Sequence, residues 1–451
     1  MTSTHLSDDV RPWLTVRIMS VAFYLTLSFL YLLAIPFGES PDEPGHLQCI
    51  QQVAVQNRIP IVDPKPTGEW WKPGAILSGR MCYHMPAYYL LAGSAQKLIG
   101  AISGTSVEIN YPAINEAFGK TGVMFIHPPK TTFGTLHEPL TVTVLRVISV
   151  FLGAVTVWVA VSVAQILFPT SPTTGLAAGI LVGGWPQFLF LSRAISNDVL
   201  ANAFSVLALL TLLHVGQPKR FVLATLWATL AVFTKINMIF VIGVALFVWL
   251  IEVIHFRDQR RELLHSALFA SIILVIGATV VALNPTIQTN LWLSGRTFSS
   301  MSERVLTIEY WLEVNRLTLS SGFARFGWMS IAVEDWLVYL WWILMTFLIA
   351  IGGMQWWRRK EPFRWLLTVV IIAWLAGNLA SYLRINLTVM QPQFRFLQST
   401  LPLIAAFAAG GLTTITIFGQ RLLIFTLAVG LLLINLWIVV YVVAPVYGLS
   451  M

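Results

Sequence analysis

Charge is scarce in this sequence. Asp, Glu, Lys and Arg make up 11% of its 451 residues, against ~25% in ordinary soluble domains. A soluble chain of this length would need far more polar surface around its core, so that class is excluded. Intrinsic disorder is excluded as well, because disordered segments are poor in apolar residues and 57% of this chain is hydrophobic. Two cysteines build neither a cysteine metal cluster nor the disulfide framework of a small secreted domain. There is no zinc-finger spacing, basic helix or RNA-binding signature, so the net charge of +8 does not point to nucleic acid. No internal repeat or low-complexity segment is evident, which weakens an inverted-repeat transporter.

Long apolar runs are what the sequence has instead, with a mean hydropathy of +0.75. A spanning helix needs ~20 apolar residues. Eleven intervals qualify: 14–36, 139–168, 174–191, 197–214, 221–234, 238–254, 266–285, 335–356, 365–383, 396–417 and 422–444. The fifth is short and reads as half of a tight hairpin with the sixth. The first is too long, and too weakly followed by small residues, for a cleaved signal peptide. The 18 Trp suit membrane–water boundaries. The expected fold is an all-α polytopic membrane protein, one integral domain over 1–451 with about eleven spans.

Basic residues orient it. Arg11 and Arg17 flank the start of the first span. With a cytoplasmic N-terminus, Lys219–Arg220, Arg257, Arg260 and Arg261, Arg358–Lys360 with Arg364, and Arg421 all fall in cytoplasmic loops. That is the positive-inside pattern. The external connections are then a long first loop, 37–138, a second of moderate length, 286–334, and short turns elsewhere. Both long loops carry helical periodicity suited to the membrane surface: 301–319 sets Val305, Ile308, Trp311 and Leu312 on one face. There Arg316, and Arg325 beyond it, could contact a phosphate or lipid headgroups.

Unusual polar residues gather at the external helix ends. Asp42, Glu43 and His46 follow the first span; Arg193, Asn197 and Asp198 join the third to the fourth; Lys235 follows the fifth; Arg384 and Arg395 flank the ninth-to-tenth loop; Arg146 lies a couple of turns inside the second. Intramembrane and boundary charges of this kind mark functional sites. The sharpest motif is Ser40-Pro41-Asp42-Glu43-Pro44-Gly45-His46. It starts an amphipathic helix reaching about Asn57, with Asp42 and His46 four apart on one face. Two readings stand open: a functional carboxylate pair, or an S-x-x-E capping box with Asp42 as an alternative N-cap. His84, in Met81–Tyr89, opens a second surface helix and could join the site. Asp198 reads as a further site member, a partner of Arg193, or a cap. Cys49 and Cys82 share the first loop, and spacing alone leaves their pairing open.

SPDEPGHLQ after one span, followed by HMPAYYLLA, resembles the bacterial membrane proteins grouped as domain of unknown function 2142. LRVISVFLGAVTV, SRAISNDVLANA and FTKIN resemble that family and the wider GT-C glycosyltransferases. QPQFRFLQSTLPL is similar to the family's Q-G-R-Y-x-x-P stretch, but has Pro392 before Gln393 and Phe394 and Phe396 around Arg395. The resemblance covers most of the chain in order. It implies a GT-C-like fold in the bacterial inner membrane with an external active face. It also implies an enzyme that moves a sugar from a polyprenyl-phosphate donor to an acceptor, glycan or protein. In such enzymes an acidic residue of the first external loop acts as base or, in some members, helps to bind a metal. Asp42 and Glu43 match that position; with His46 they are candidate ligands for a divalent cation such as Mg or Mn.

The residues fit that chemistry on their own terms. A lipid-linked donor keeps its tail in the bilayer and its phosphate at the boundary. A carboxylate there can take the acceptor hydroxyl's proton. Arg146, Arg193, Lys235 and Arg395 are candidates to hold the departing phosphate. Each could instead be a lipid-headgroup anchor or helix-end partner. The rival classes are a transporter or flippase of lipid-linked glycans, for which Gly183–Gly184, Pro186 and Asn378 offer a broken or polar path, and a non-catalytic partner in envelope assembly.

Overall fold

The computed structural model describes residues 6–62, 80–105, 109, 111–127, 139–297, 305, 307–360, 363–415 and 419–448. The first helix, α1 (Leu6–Ala34), leads into the loop helices α2 (Glu43–Gln56) and α3 (Ala87–Ser103). Three apolar helices follow: α4 (Leu140–Leu167), α5 (Pro172–Gly183) and α6 (Pro186–Ser192). Next come α7 (Asn197–Leu213), α8 (Arg220–Thr234), α9 (Ile239–His255), α10 (Arg260–Leu283) and α11 (Pro285–Thr297). The chain then forms α12 (Ile308–Phe323), α13 (Asp335–Arg358), α14 (Arg364–Thr388), α15 (Leu401–Thr414) and α16 (Gln420–Trp437). A single two-stranded hairpin, Arg325–Phe326 with Ile331–Ala332, is the sheet among the described residues.

All eleven apolar intervals fall on helices. Among the described residues, eight helices are long and apolar enough to cross a membrane, or nine if one bent pair is a single span. This is a multi-pass membrane protein. The two remaining intervals form α7 and α8, of 17 and 15 residues, shorter than a straight span needs. The bent pair is α5 with α6, which turn by 63° at Gly184–Trp185. The freed Gly184 carbonyl accepts from Asn435 (2.8 Å), whose side-chain oxygen accepts from the Tyr31 hydroxyl (2.8 Å). The break is therefore pinned by buried hydrogen bonds, as a non-helical turn away from water requires. Elsewhere α13 and α15 touch backbone to backbone. A Cβ on Gly352 would meet the Phe407 carbonyl at 1.9 Å, and one on Gly411 the Leu348 carbonyl at 2.0 Å. Small residues at a helix crossing permit this contact in an apolar solvent.

The first loop folds onto the bundle. Leu47, Cys49, Ile50 and Val53 of α2 and Tyr88, Tyr89 and Ala92 of α3 form one buried cluster with Val142 and Leu145 of α4 and Ile195 and Leu200 near the start of α7. Cys49 and Cys82 are joined by a disulfide, Cα–Cα 5.3 Å. It settles what spacing left open and ties α2 to the turn Arg80–Tyr83 that precedes α3. The capping box is not formed. Asp42 is the N-cap of α2 but makes no side-chain capping bond, and Ser40 and Glu43 bond to distant parts of the chain instead. In the second loop the expected surface helix runs over Ile308–Phe323, with Tyr310 and Val314 packed on Tyr382 of α14. Arg316 is spent on Glu313 (3.0 and 2.9 Å), and Arg325 on the Met329 carbonyl and the Ser320 hydroxyl.

The basic clusters collect at one end of the bundle. Arg17 bonds Gln165, Arg220 pairs with Glu252, and the Arg359 guanidinium lies 5.1 Å from the Phe168 ring centroid. The first loop and the junctions α6–α7, α8–α9 and α14–α15 meet at the other end. This separation is what the positive-inside pattern needs. It yields a labelling test in a variant whose Cys49 and Cys82 are both replaced by Ser. Glu116→Cys, an exposed site in the first loop, should react with a membrane-impermeant maleimide in intact spheroplasts. Asp258→Cys, exposed between α9 and α10, should react only after permeabilisation. The reverse pattern would invert the orientation.

Candidate functional site

The site is assembled from helix ends. Gly38–His46 leaves α1 and enters α2 through Asp42, whose φ of 65° is left-handed. Among non-glycine residues Asp and Asn adopt that conformation most readily. Its neighbours hold it there. Glu43 is fully buried; its carboxylate accepts from the Gly38 amide (3.0 Å) and the Ile195 amide (3.0 Å), and lies 3.6 Å from Arg146 Nε. The Ser40 hydroxyl accepts from Arg193 (2.7 Å). Glu39, also buried, accepts from the Met124 and Phe125 amides (both 3.1 Å) and bonds the His127 ring (2.7 Å). Glu39, Ser40 and Glu43 thus anchor the segment on either side of Asp42, which faces a cavity.

That carboxylate pairs with Arg395 at 2.7 Å. Arg395 also lies 3.5 Å from Asp198, and Asp198 pairs with Lys235. Phe396 sits against both cations, its ring centroid 4.8 Å from Lys235 Nζ and 5.1 Å from the Arg395 guanidinium; aromatic faces stabilise cations at such range. The chain of alternating charges brings together the first loop and the starts of α7, α9 and α15. Asp42 is its most accessible carboxylate, 27% exposed against 10% for Asp198. Burial alone would raise the Asp42 pKa, but Arg395 above all, with His46 and Lys235, draws it below the ordinary carboxylate value.

A cavity of about 1290 Å³ opens beside this cluster. Its polar end is walled by Asp42, His46, Tyr83, His84, Lys235 and Arg395. The other limb is apolar and runs between α9 and α14, past Phe240, Val244, Phe247, Ile372 and Ala376. Phe247 and Ile372 are themselves exposed, so the groove opens sideways through the bundle wall. The His46 ring bonds the Tyr89 hydroxyl (2.8 Å) and stands 5.8 Å from the His84 ring. Burial pushes His46 down to about 4, and His84 well down too. Both imidazoles are therefore neutral at physiological pH and offer hydrogen bonds, not charge.

Of the residues singled out from sequence, the structure brings Asp42, His46, His84, Lys235, Arg384 and Arg395 to one cavity, with Asp198 directly behind. It does not bring Glu43, Arg146 or Arg193 there. Glu43 and Arg146 are sealed inside, and Arg193 is buried against Ser40 and the Phe190 ring. Arg146 also donates to the Ile35 carbonyl (2.8 Å). These three fix the loop and are corrected from site residues to its supports. Asp198 pairs with Lys235, not Arg193, and the cap of α7 is Ser196. The proposed Asp42, Glu43 and His46 metal set does not form, because Glu43 is turned onto backbone amides. Among the described residues no three His, Cys, Asp or Glu side chains are placed to hold a metal. The available carboxylates already carry Arg395 and Lys235, which would repel a divalent cation, so the residues present do not fit one. Tyr83 and Phe396 went unassigned in the sequence; the Phe on either side of Arg395 was visible there, but its stacking on Lys235 links loops far apart in the chain.

Glu43→Gln should therefore act on stability. It leaves Arg146 short of its buried counter-charge, a loss of about 3–5 kcal/mol, read as a large drop in apparent Tm in detergent. Asp42→Asn, at an accessible left-handed position, should hardly shift it. A Glu43→Gln protein that melts like wild type would overturn the anchoring role.

Residues 136–299 match the family described as dolichyl-phosphate-mannose-protein mannosyltransferase. No curated protein sequence matches the chain. Among solved structures it is similar to ArnT from Cupriavidus metallidurans bound to undecaprenyl phosphate, with 13% identity and a TM-score of 0.55 over 96% of this chain and 73% of that one. It is also similar to the oligosaccharyltransferase AglB from Archaeoglobus fulgidus in complex with an inhibitory peptide and a dolichol-phosphate. That match has 13% identity and a TM-score of 0.52 over 97% of this chain and 55% of that one. An Archaeoglobus fulgidus oligosaccharyltransferase complex with zinc and sulfate matches at 14% identity and a TM-score of 0.51, over 96% of this chain and 52% of that one. The chain thus spans about half the length of the archaeal enzymes. The helical bundle with its cavity at the helix ends shares its fold with the ArnT and AglB structures.

Proposed function

We propose that this protein transfers a sugar from a polyprenyl-phosphate donor to a hydroxyl-bearing acceptor, glycan or protein, at the external face of the bacterial inner membrane. One observation carries the reading: a paired-charge cluster with an accessible carboxylate stands at the head of an apolar groove that opens towards lipid. An amphiphile with an anionic head and a long apolar tail fits such a site from end to end. The undecaprenyl phosphate and dolichol-phosphate named with the ArnT and AglB structures have that chemistry.

The tail lies between α9 and α14, and the phosphate reaches Lys235 and Arg395. Asp42 takes the proton from the acceptor hydroxyl as its oxygen attacks the anomeric carbon. The bond from that carbon to the phosphate oxygen breaks, and the two cations stabilise the charge that grows on the phosphate. His46 and His84, neutral and facing the same space, supply hydrogen bonds to sugar or acceptor hydroxyls. No step runs through a metal ion. The flippase alternative loses its main support, because the break between α5 and α6 is pinned by Asn435 and lies apart from the cavity.

The test is consumption of synthetic polyprenyl-phosphate hexoses and pentoses by purified protein, with wild type against Asp42→Asn. Asn keeps the left-handed backbone and the size of the side chain but not the base. Transfer should fall by ~10²–10⁴-fold, the usual loss for a general base, in a protein with wild-type melting behaviour. Equal turnover by both proteins would remove Asp42 from the chemistry. No turnover of any donor by wild type would favour the flippase or assembly reading.

A further inference from the structure

The cation best placed to hold the donor phosphate is already holding the base. Arg395 donates to Asp42 at 2.7 Å and lies 3.5 Å from Asp198. The two carboxylates are not equally held. Asp198 has Lys235 as a second cation, takes a hydrogen bond from the Ser196 hydroxyl (3.3 Å), and is only 10% exposed. Asp42 has 27% of its side chain exposed, is held by Arg395 alone among the described cations within salt-bridge distance, and makes no capping bond. An anion entering the cavity meets Asp42 first and displaces it at less cost. Arg395 also has a donor to spare: its buried Nε has no hydrogen-bond partner among the described residues.

Resting on the glycosyltransferase reading above, we infer that Asp42 and the donor phosphate compete for Arg395, so that donor binding is what releases Asp42 to act as base. The exchange also matches the reaction's charge changes. As the acceptor oxygen bonds to the anomeric carbon, its proton passes to Asp42, which becomes neutral. The bonding pair of the breaking carbon–oxygen bond stays with the phosphate, which gains the unit of negative charge that Asp42 loses. Asp42 stops competing for Arg395 at the moment when the leaving group needs that guanidinium most. Before the donor arrives, the same ion pair keeps the base occupied.

Competition predicts that removing the base improves binding. The probe is polyprenyl monophosphate, titrated onto purified full-length protein in detergent. Asp42→Asn should bind it about fivefold tighter than wild type or better, the lower range of coupling between linked equilibria. The gain should vanish in an Arg395→Gln background, because a double-mutant cycle isolates the interaction between the two positions. If Arg395→Gln does not fold, infrared difference spectra of wild type replace it. A carboxylate band that shifts on adding the lipid, and is missing in Asp42→Asn, supports release of Asp42; spectra without that band contradict it. Equal or weaker binding by Asp42→Asn, with wild type binding well, overturns the competition and leaves the donor site standing. A gain that persists without Arg395 assigns it to general loss of negative charge and also overturns the competition. If wild type does not bind the lipid at all, this inference and the donor reading fail together.

Discussion

Glu43 joins three stretches of chain through one carboxylate: Gly38 just beyond the first helix, the α6–α7 junction at Ile195, and Arg146 within α4. Its carboxylate is completely buried, so each of these bonds forms where water cannot substitute for it. A lost partner there costs more than one at a surface. Ser40 with Arg193 and Glu39 with the Met124–His127 segment secure the same loop from either side. With its neighbours fixed, Asp42 is left in a left-handed turn with its side chain towards the cavity. The position of the one accessible carboxylate in the cluster therefore rests on charges that never reach the site.

Two kinds of buried charge follow from this. Arg146, Arg193, Glu39 and Glu43 have hydrogen-bonding partners from the backbone or a hydroxyl and serve as rivets. Asp42, Asp198, Lys235 and Arg395 have mainly one another. Such a neutral cluster tolerates burial, because each charge is paired. Disulfide Cys49–Cys82 supports the second kind: it links α2, one turn beyond His46, to the turn carrying Tyr83 and His84. It holds two walls of the cavity against each other without entering it.

Much of this was legible in the sequence. Apolar run length placed every helical interval, since twenty apolar residues have few alternatives in a bilayer. The break inside 174–191 was visible as Gly183–Gly184 and Pro186, though the partner that makes it stable, Asn435, lies far along the chain. Boundary charges flagged Asp42, His46, Asp198, Lys235 and Arg395. What the sequence could not separate was rivet from reactant. Glu43 stands next to Asp42, and a helical step of about 100° decides which of them meets the cavity; the positive φ at Asp42 alters even that step. Arg146 and Arg193 failed as phosphate ligands for the same reason: their partners, Glu43 and Ser40, are a hundred residues or more away. The S-x-x-E pattern suggested a local cap, and tertiary bonds took both side chains elsewhere.

The central claim is that this cavity receives a polyprenyl phosphate, head at the charge cluster and tail in the groove. A structure determined by cryo-electron microscopy with added polyprenyl monophosphate tests it most directly. The account predicts phosphate density within hydrogen-bonding distance of Arg395 and Lys235, and continuous tail density between α9 and α14. Density for the lipid elsewhere, with Arg395 still paired to Asp42 and the groove empty, would contradict it.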